Sequence, residues 1–199
     1  LSGMCKTDKE NYEKYWDDIG PFIKFGCLKD EKFCEKMNDY ILFKNIDKEY
    51  LTLPDCLQKN EEKHKNTVFY VTDMVQQSQY INMFREENID AVILDHNIDE
   101  PFITHLEQKN EGVKFMRIDS DLNDSFKDEV AEDDETFKAN AETLTTTFRK
   151  ALNNDKLEVK VEKLKNTAIS SMVTLSEESR RMQDMMKMYG MAGMNPDMF

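Results

Sequence analysis

Thr67-Val68-Phe69-Tyr70-Val71-Thr72, Ile89-Asp90-Ala91-Val92-Ile93-Leu94 and Val113-Lys114-Phe115-Met116-Arg117-Ile118 decide the fold. All three are compact β-type runs, rich in β-branched and aromatic side chains. Helical stretches near Val75 to Glu87 and Asp99 to Lys109 lie between them. Strand, helix, strand, helix, strand with short connections predicts a parallel sheet with right-handed crossovers and helices on its faces. The first two runs are nearly continuous in apolar residues, as expected for strands buried on both faces. Such a sheet invites a nucleotide-binding reading, which the first turn tests. A dinucleotide fold needs glycines there so that backbone can approach pyrophosphate. Thr72-Asp73-Met74-Val75-Gln76 has no glycine and carries an acid where phosphate would sit. The six glycines are scattered and give no P-loop spacing. A phosphate-binding enzyme is disfavoured, and a nucleotide-dependent α/β enzyme stands as the alternative reading.

On the N-terminal side, Tyr12, Tyr15, Trp16, Ile19, Phe22 and Ile23 recur at three- and four-residue steps. That is a helical stripe from Asp8 to about Gly26, with an interruption expected at Gly20-Pro21. Asp30 to Lys44 repeats the pattern with Phe33, Met37, Tyr40 and Ile41. Leu51-Thr52-Leu53 reads as extended, and Pro54 suits the first turn of a further short helix.

On the C-terminal side, Asp119 to Glu135 holds nine acids and one lysine, a solvated junction between domains. Asp119, Asp121 and Asn123 begin a calcium-loop spacing. Asp124 then stands where the loop needs glycine, and Val130 where it needs a bidentate Glu, so calcium is rejected. Thr136 to Leu152 reads as a helix. Leu157, Val159 and Val161 alternate with charged residues, Lys165-Asn166-Thr167 offers a turn, and Ala168 to Leu175 completes an expected β-hairpin. Ser176 followed by Glu177 and Glu178 starts a last helix, running to about Gly190. Met182, Met185, Met186 and Tyr189 fall on one stripe of it, and seven of the thirteen methionines lie between Met182 and Met198. An ordinary amphipathic stripe packs on its neighbouring sheet. Methionine is also over-used on surfaces that accept apolar partners of several shapes, so both readings stand.

Composition narrows the function classes. The 199 residues carry 27 Lys and Arg against 40 Asp and Glu, a net charge of −13. Duplex nucleic acid and anionic membranes are therefore not expected partners, since phosphate binding needs a basic footprint. Apolar residues at 39% are enough for a core, yet no stretch is long enough to span a bilayer. Cys5, Cys27, Cys34 and Cys56 form no Cys-x-x-Cys pair, and His64, His96 and His105 add no finger-like spacing. Reduced thiols in a cytoplasmic protein are expected, with no metal. No catalytic set emerges. The chain opens on Leu1 rather than Met, which reads as a piece of a longer protein.

Asn11-Tyr12-Glu13-Lys14-Tyr15-Trp16 and Lys24-Phe25-Gly26 resemble the helical coil in the middle domain of the heat-shock protein 90 family of molecular chaperones, bacterial type. Val68 to Thr72 resembles that family's Ile-Tyr-Tyr-Ile-Thr strand. Phe84-Arg85, Ile89 to Leu94 and Ile98-Asp99-Glu100 resemble its next strand and helix start, and Val159 to Leu164 and Ser179 to Lys187 its C-terminal hairpin strand and Met-containing helix. The matches run in order along nearly the whole chain. Departures occur at Pro101, where bacterial relatives often place Trp (Phe102 being a substitute), at Glu162-Lys163-Leu164 and at Thr167-Ala168.

The resemblance implies an α/β fold: a helical coil (1–45) and a small three-layer αβα unit with a short parallel sheet (46–120). An acidic junction (121–135) and an α+β C-terminal domain with a β-hairpin and helices (136–199) follow. It further implies a client-binding piece of an ATP-dependent chaperone. The ATP site and its catalytic arginine would lie upstream of Leu1, so ATP and Mg belong to the parent protein and this piece needs no cofactor and is not an enzyme. Clients, partly unfolded proteins, would meet Glu100, Pro101, Phe102 and Thr104 on the middle-domain side. On the C-terminal side they would meet Met182, Met185, Met186 and Tyr189. The parent would be a cytoplasmic homodimer, with its dimerisation helices beyond Phe199. A purely structural spacer is the third reading.

Overall fold

The computed structural model describes residues 2–120, 135–153, 159, 161 and 181. The chain divides into two compact units, Leu1–Asp121 with Thr174–Phe199, and Leu122–Val173.

The first unit opens with helices α1 (Ser2–Thr7), α2 (Lys9–Lys29) and α3 (Glu31–Met37), the last followed by a 3-10 turn at Asn38–Tyr40. The expected break at Gly20-Pro21 does not occur: α2 runs straight through Pro21. Proline removes one hydrogen bond, and its ring normally clashes with the side chain before it. Here that residue is Gly20, which has no Cβ. A Cβ would in any case stand 3.2 Å from the Trp16 indole. Buried Tyr12 and Trp16 before the proline, and Ile23, Lys24 and Cys27 after it, anchor both halves.

The predicted apolar stripe divides in the structure. Tyr12, Trp16 and Ile23 enter the core, whereas Tyr15 and Phe22 face solvent together with Phe25. The second helix is also shorter than its periodicity predicts, because Ile41 and Leu42 enter the core in extended backbone beyond the 3-10 turn. Asp30 makes the corner between α2 and α3. Its N–H donates to the Gly26 carbonyl at 2.9 Å, and its carboxylate accepts from Phe33 N at 3.1 Å, capping α3. Gly26 lets Phe33 close on that corner, since a Cβ would meet the ring at 2.8 Å.

Strands β1 (Phe43–Lys44) and β2 (Tyr50–Leu51) pair antiparallel, and α4 (Leu53–Lys59) follows. Thr52 and Asp55 form a capping box: Asp55 N donates to Thr52 Oγ1 at 3.4 Å, and Thr52 N to Asp55 Oδ2 at 3.1 Å. Hydrogen bonds from the Thr52 side chain and then its backbone hold the Asp55 carboxyl below its ordinary pKa. Thr52→Ala is expected to cost about 0.5–2 kcal/mol in urea unfolding at neutral pH. Because the folded pKa is the lower one, the carboxylate's share of that stability is complete above the ordinary Asp value. It fades as pH falls through the lowered value, so the penalty of the substitution should shrink in acid.

The α/β part contains β3 (Thr67–Val71), α5 (Ser78–Glu86), β4 (Ala91–Ile93), α6 (Asp99–Lys109) and β5 (Lys114–Arg117). The sheet is parallel in the order β4-β3-β5, with Phe69 opposite Ala91 and Met116. Alternate residues of β3 face opposite layers. Val68 and Tyr70 join Phe102, Ile103, Leu106, Phe115 and the helical coil in one buried cluster. On the other face Phe69 meets Phe84 of α5 edge-on, ring centroids 4.9 Å apart. The expected three-layer αβα unit is therefore present. Its first helix begins at Ser78 rather than Val75, because residues 73–77 form a turn described below.

In the second unit, α7 (Glu135–Ala151) realises the helix expected over Thr136 to Leu152. Phe137, Ala141, Thr145 and Arg149 on one face are half-buried, while Leu144, Phe148 and Leu152 are exposed. Of the expected hairpin, only Val159 and Val161 are described; both are half-buried and neither lies in a strand. The rest of that hairpin and most of the acidic junction lie outside the described residues. No helix among the described residues is long and apolar enough to cross a membrane.

Candidate functional site

Helix α6 carries the middle-domain half of the expected client surface, and two contacts set its pose. Asp99 begins the helix, where a carboxylate favours the positive end of the dipole. It accepts from His96 N at 2.9 Å and forms a buried ion pair with Lys24 of α2. Lys24 Nζ also lies 5.9 Å from the ring centroids of Phe43 and Phe102. The helical coil and the αβα unit are thus joined at the root of α6.

The sequence-predicted residues divide sharply. Pro101 is exposed, and Glu100 and Thr104 are half-buried on the outer side. Thr104 Oγ1 donates to the Glu100 carbonyl at 3.0 Å. Phe102 is 0% exposed and belongs to the core, so it cannot stand in for a surface tryptophan. The residue after Pro101 is turned about 100° around the helix, toward the sheet. Met182, Met185, Met186 and Tyr189 lie outside the described residues.

Residues that sequence reasoning missed complete the arrangement. Glu107 follows Glu100 and Thr104 at i+7 and i+3, on the same side of α6. Its carboxylate accepts from Phe115 N of β5 at 2.7 Å and from the Arg181 guanidinium at 2.6 and 3.2 Å. Arg181 Nη2 also donates to the Phe115 carbonyl at 2.9 Å. The spacing from Glu100 could have flagged Glu107. Nothing local in the sequence flags Arg181.

The turn after β3, where a nucleotide fold would hold phosphate, is occupied by the protein's own side chains. Gln77, buried, offers Oε1 to Thr72 N at 2.8 Å and Asp73 N at 3.0 Å. Asp73 Oδ1 accepts from Val75 N and Gln76 N, both at 2.9 Å. The four amides that could cradle an anion are already engaged.

All four cysteines are free thiols. Burial, then a hydrogen bond with Cys34, pushes the Cys27 thiol up to about 12; burial likewise pushes Cys56 up to about 12. Thiols held protonated in this way are poor nucleophiles. Cys34 Sγ lies 3.7 Å from His105 Nε2, so half-buried His105 faces the helical coil rather than open solvent as a surface histidine would.

The sequence profile described as Hsp90 protein matches residues 3–198. Chaperone protein HtpG of Bacteroides thetaiotaomicron is 31% identical over 211 aligned residues, covering 100% of this chain and 31% of the relative. HtpG of Porphyromonas gingivalis is 29% identical over 195 residues, covering 93% and 28%. Among solved structures, the middle domain of a heat shock protein from Plasmodium falciparum overlays with a TM-score of 0.47 at 18% identity, covering 59% of this chain and 50% of that one. The chain spans about a third of the length of the curated relatives it matches. With the profile matched almost from end to end, the chain belongs to the Hsp90 family of heat-shock chaperones.

Proposed function

We propose that this chain is the client-binding portion of a longer chaperone, comprising the end of its middle domain and the start of its C-terminal domain. The observation that carries this reading is family membership across residues 3–198. Partly unfolded proteins would be held on two sides. One is the outer side of α6, with Glu100, Pro101 and Thr104; the other is the stripe of Met182, Met185, Met186 and Tyr189. Phe102 is dropped because its ring is spent on the core. Methionine suits the task physically: an unbranched, polarizable side chain adapts to apolar partners of different shape. ATP and Mg would be used by the parent protein outside this chain. The parent would be a cytoplasmic homodimer, without nucleic acid or membrane as partner.

The test is binding to reduced, carboxymethylated α-lactalbumin, a permanently unfolded protein. Changing Met182, Met185 and Met186 together to Ser should weaken it by about tenfold or more, since each buried Met contributes roughly 1.5–3 kcal/mol at most. Circular dichroism should stay the same. Unchanged affinity would reject the assignment, and no binding by the unaltered chain would favour the spacer reading. ATP or a dinucleotide should leave the thermal transition in place. A ligand at 100 times its Kd would add about 2.7 kcal/mol, and such a shift would revive the enzyme reading. The filled turn at Thr72–Gln77 argues against that outcome.

A further inference from the structure

We infer that Arg181 is a positioning residue that fastens the chain at position 181, just before the methionine run in sequence, to the Glu100–Glu107 side of α6 by capping the outer edge of β5. The edge comes first. In the parallel sheet, Lys114 N and Ile118 N donate inward, to the carbonyls of Asn66 and Tyr70. Phe115, between them, therefore turns its N–H and C=O away from β3, as alternation along a strand requires. An open strand edge leaves such groups wanting partners and invites pairing with another chain. Here side chains replace the missing strand. Glu107 supplies the acceptor to Phe115 N–H, and Arg181 supplies the donor to Phe115 C=O.

The two capping groups also bind each other. The Arg181 fork meets both oxygens of Glu107, at 2.6 and 3.2 Å, with both side chains 21% exposed. Arginine fits because its planar guanidinium can serve one carboxylate and one carbonyl together. A lysine ammonium lacks that fixed geometry. The location gives the contact a role. Glu107 shares a side of α6 with Glu100 and Thr104, and the residue after Arg181 is Met182. Position 181 is thereby tied to the side of α6 that carries Glu100 and Thr104. What the anchor is for rests on the proposed client surface; the anchor itself does not.

The test is hydrogen–deuterium exchange on the full chain, followed by peptide. Arg181→Ala and Glu107→Gln should each speed exchange of peptides within 174–199 by about tenfold, as expected for losing a charge-assisted fork. Glu107→Gln keeps an acceptor for Phe115 N–H, so it guards against simple unfolding. The double variant should exchange no faster than either single, Arg181→Lys should fall between, and 67–71 of β3 should not change. Unaltered exchange of 174–199 in Arg181→Ala, full additivity of the two changes, or a wild-type segment already exchanging freely would overturn the inference. The lactalbumin assay separates it from the client reading. If exchange responds while the Met-to-Ser variant binds normally, the anchor stands and the client surface falls. If the Met variant loses binding while exchange is unmoved, the reverse holds.

Discussion

Lys24→Ala is expected to lower folding stability by about 3–5 kcal/mol, the usual cost of stranding one member of a buried ion pair. Lys24 and Asp99 have side chains only 9% and 5% exposed. Without the ammonium, the Asp99 carboxylate keeps its bond from His96 N but loses its counter-charge, in surroundings formed partly by the Phe43 and Phe102 rings. The loss should appear as a lower midpoint in urea with an unchanged slope, as for a change in stability alone. Lys24→Met should be damaging too, because the stranded charge rather than the lost packing dominates. Pairing Lys24→Met with Asp99→Leu should recover much of the loss, since replacing both charges by apolar groups is often near neutral. A penalty below about 1 kcal/mol for Lys24→Ala would mean that the pair is solvated and behaves like a surface bridge.

The second large effect distinguishes neighbours. Phe102→Ala is expected to cost about 3–5 kcal/mol, through lost burial and the cavity left behind. Pro101→Ala, one residue earlier, should stay within about 0.5 kcal/mol, as exposed substitutions usually do. Phe102 is fully buried with Ile103 and Leu106 against the sheet, whereas Pro101 is exposed. Equal and small penalties in equilibrium unfolding would put the Phe102 ring outside the core and return it to the candidate surface. The two predictions are coupled, because Lys24 lies against the Phe102 ring. Lys24→Ala with Phe102→Ala should therefore depart from additivity, as contacting residues do.

Some features could be read in advance because they are local. The β3 and β4 runs are apolar enough to announce strands buried on both faces, and Asp99 to Lys109 is bounded as a helix as its periodicity requires. Thr52-Leu53-Pro54-Asp55 carries its own start signal, and α4 begins there. Errors arose where a local rule met a tertiary contact. Proline predicts a break, yet α2 continues because core packing on both sides outweighs one missing hydrogen bond. Tyr15 and Phe22 share a helical stripe with Trp16 and still face solvent, since periodicity counts apolar residues without knowing which side meets a neighbour. The candidate surface was legible only as a set of positions on α6. That Phe102 points inward, and that Glu107 belongs with Glu100 and Thr104, needed the sheet beneath them.

Taken by itself, the order of residues determined the class of fold, the family and the absence of glycines from the turn after β3. Each of these is written in short-range pattern: period, turn chemistry and ordered motifs. Only the folded chain decided that Lys24 pairs with Asp99 across 75 positions, and that Arg181 reaches Glu107 across 74. Such pairs obey no spacing rule. They form because burying the core brings distant charges to places where water no longer screens them, and each must then find a partner from whatever the packing has set nearby.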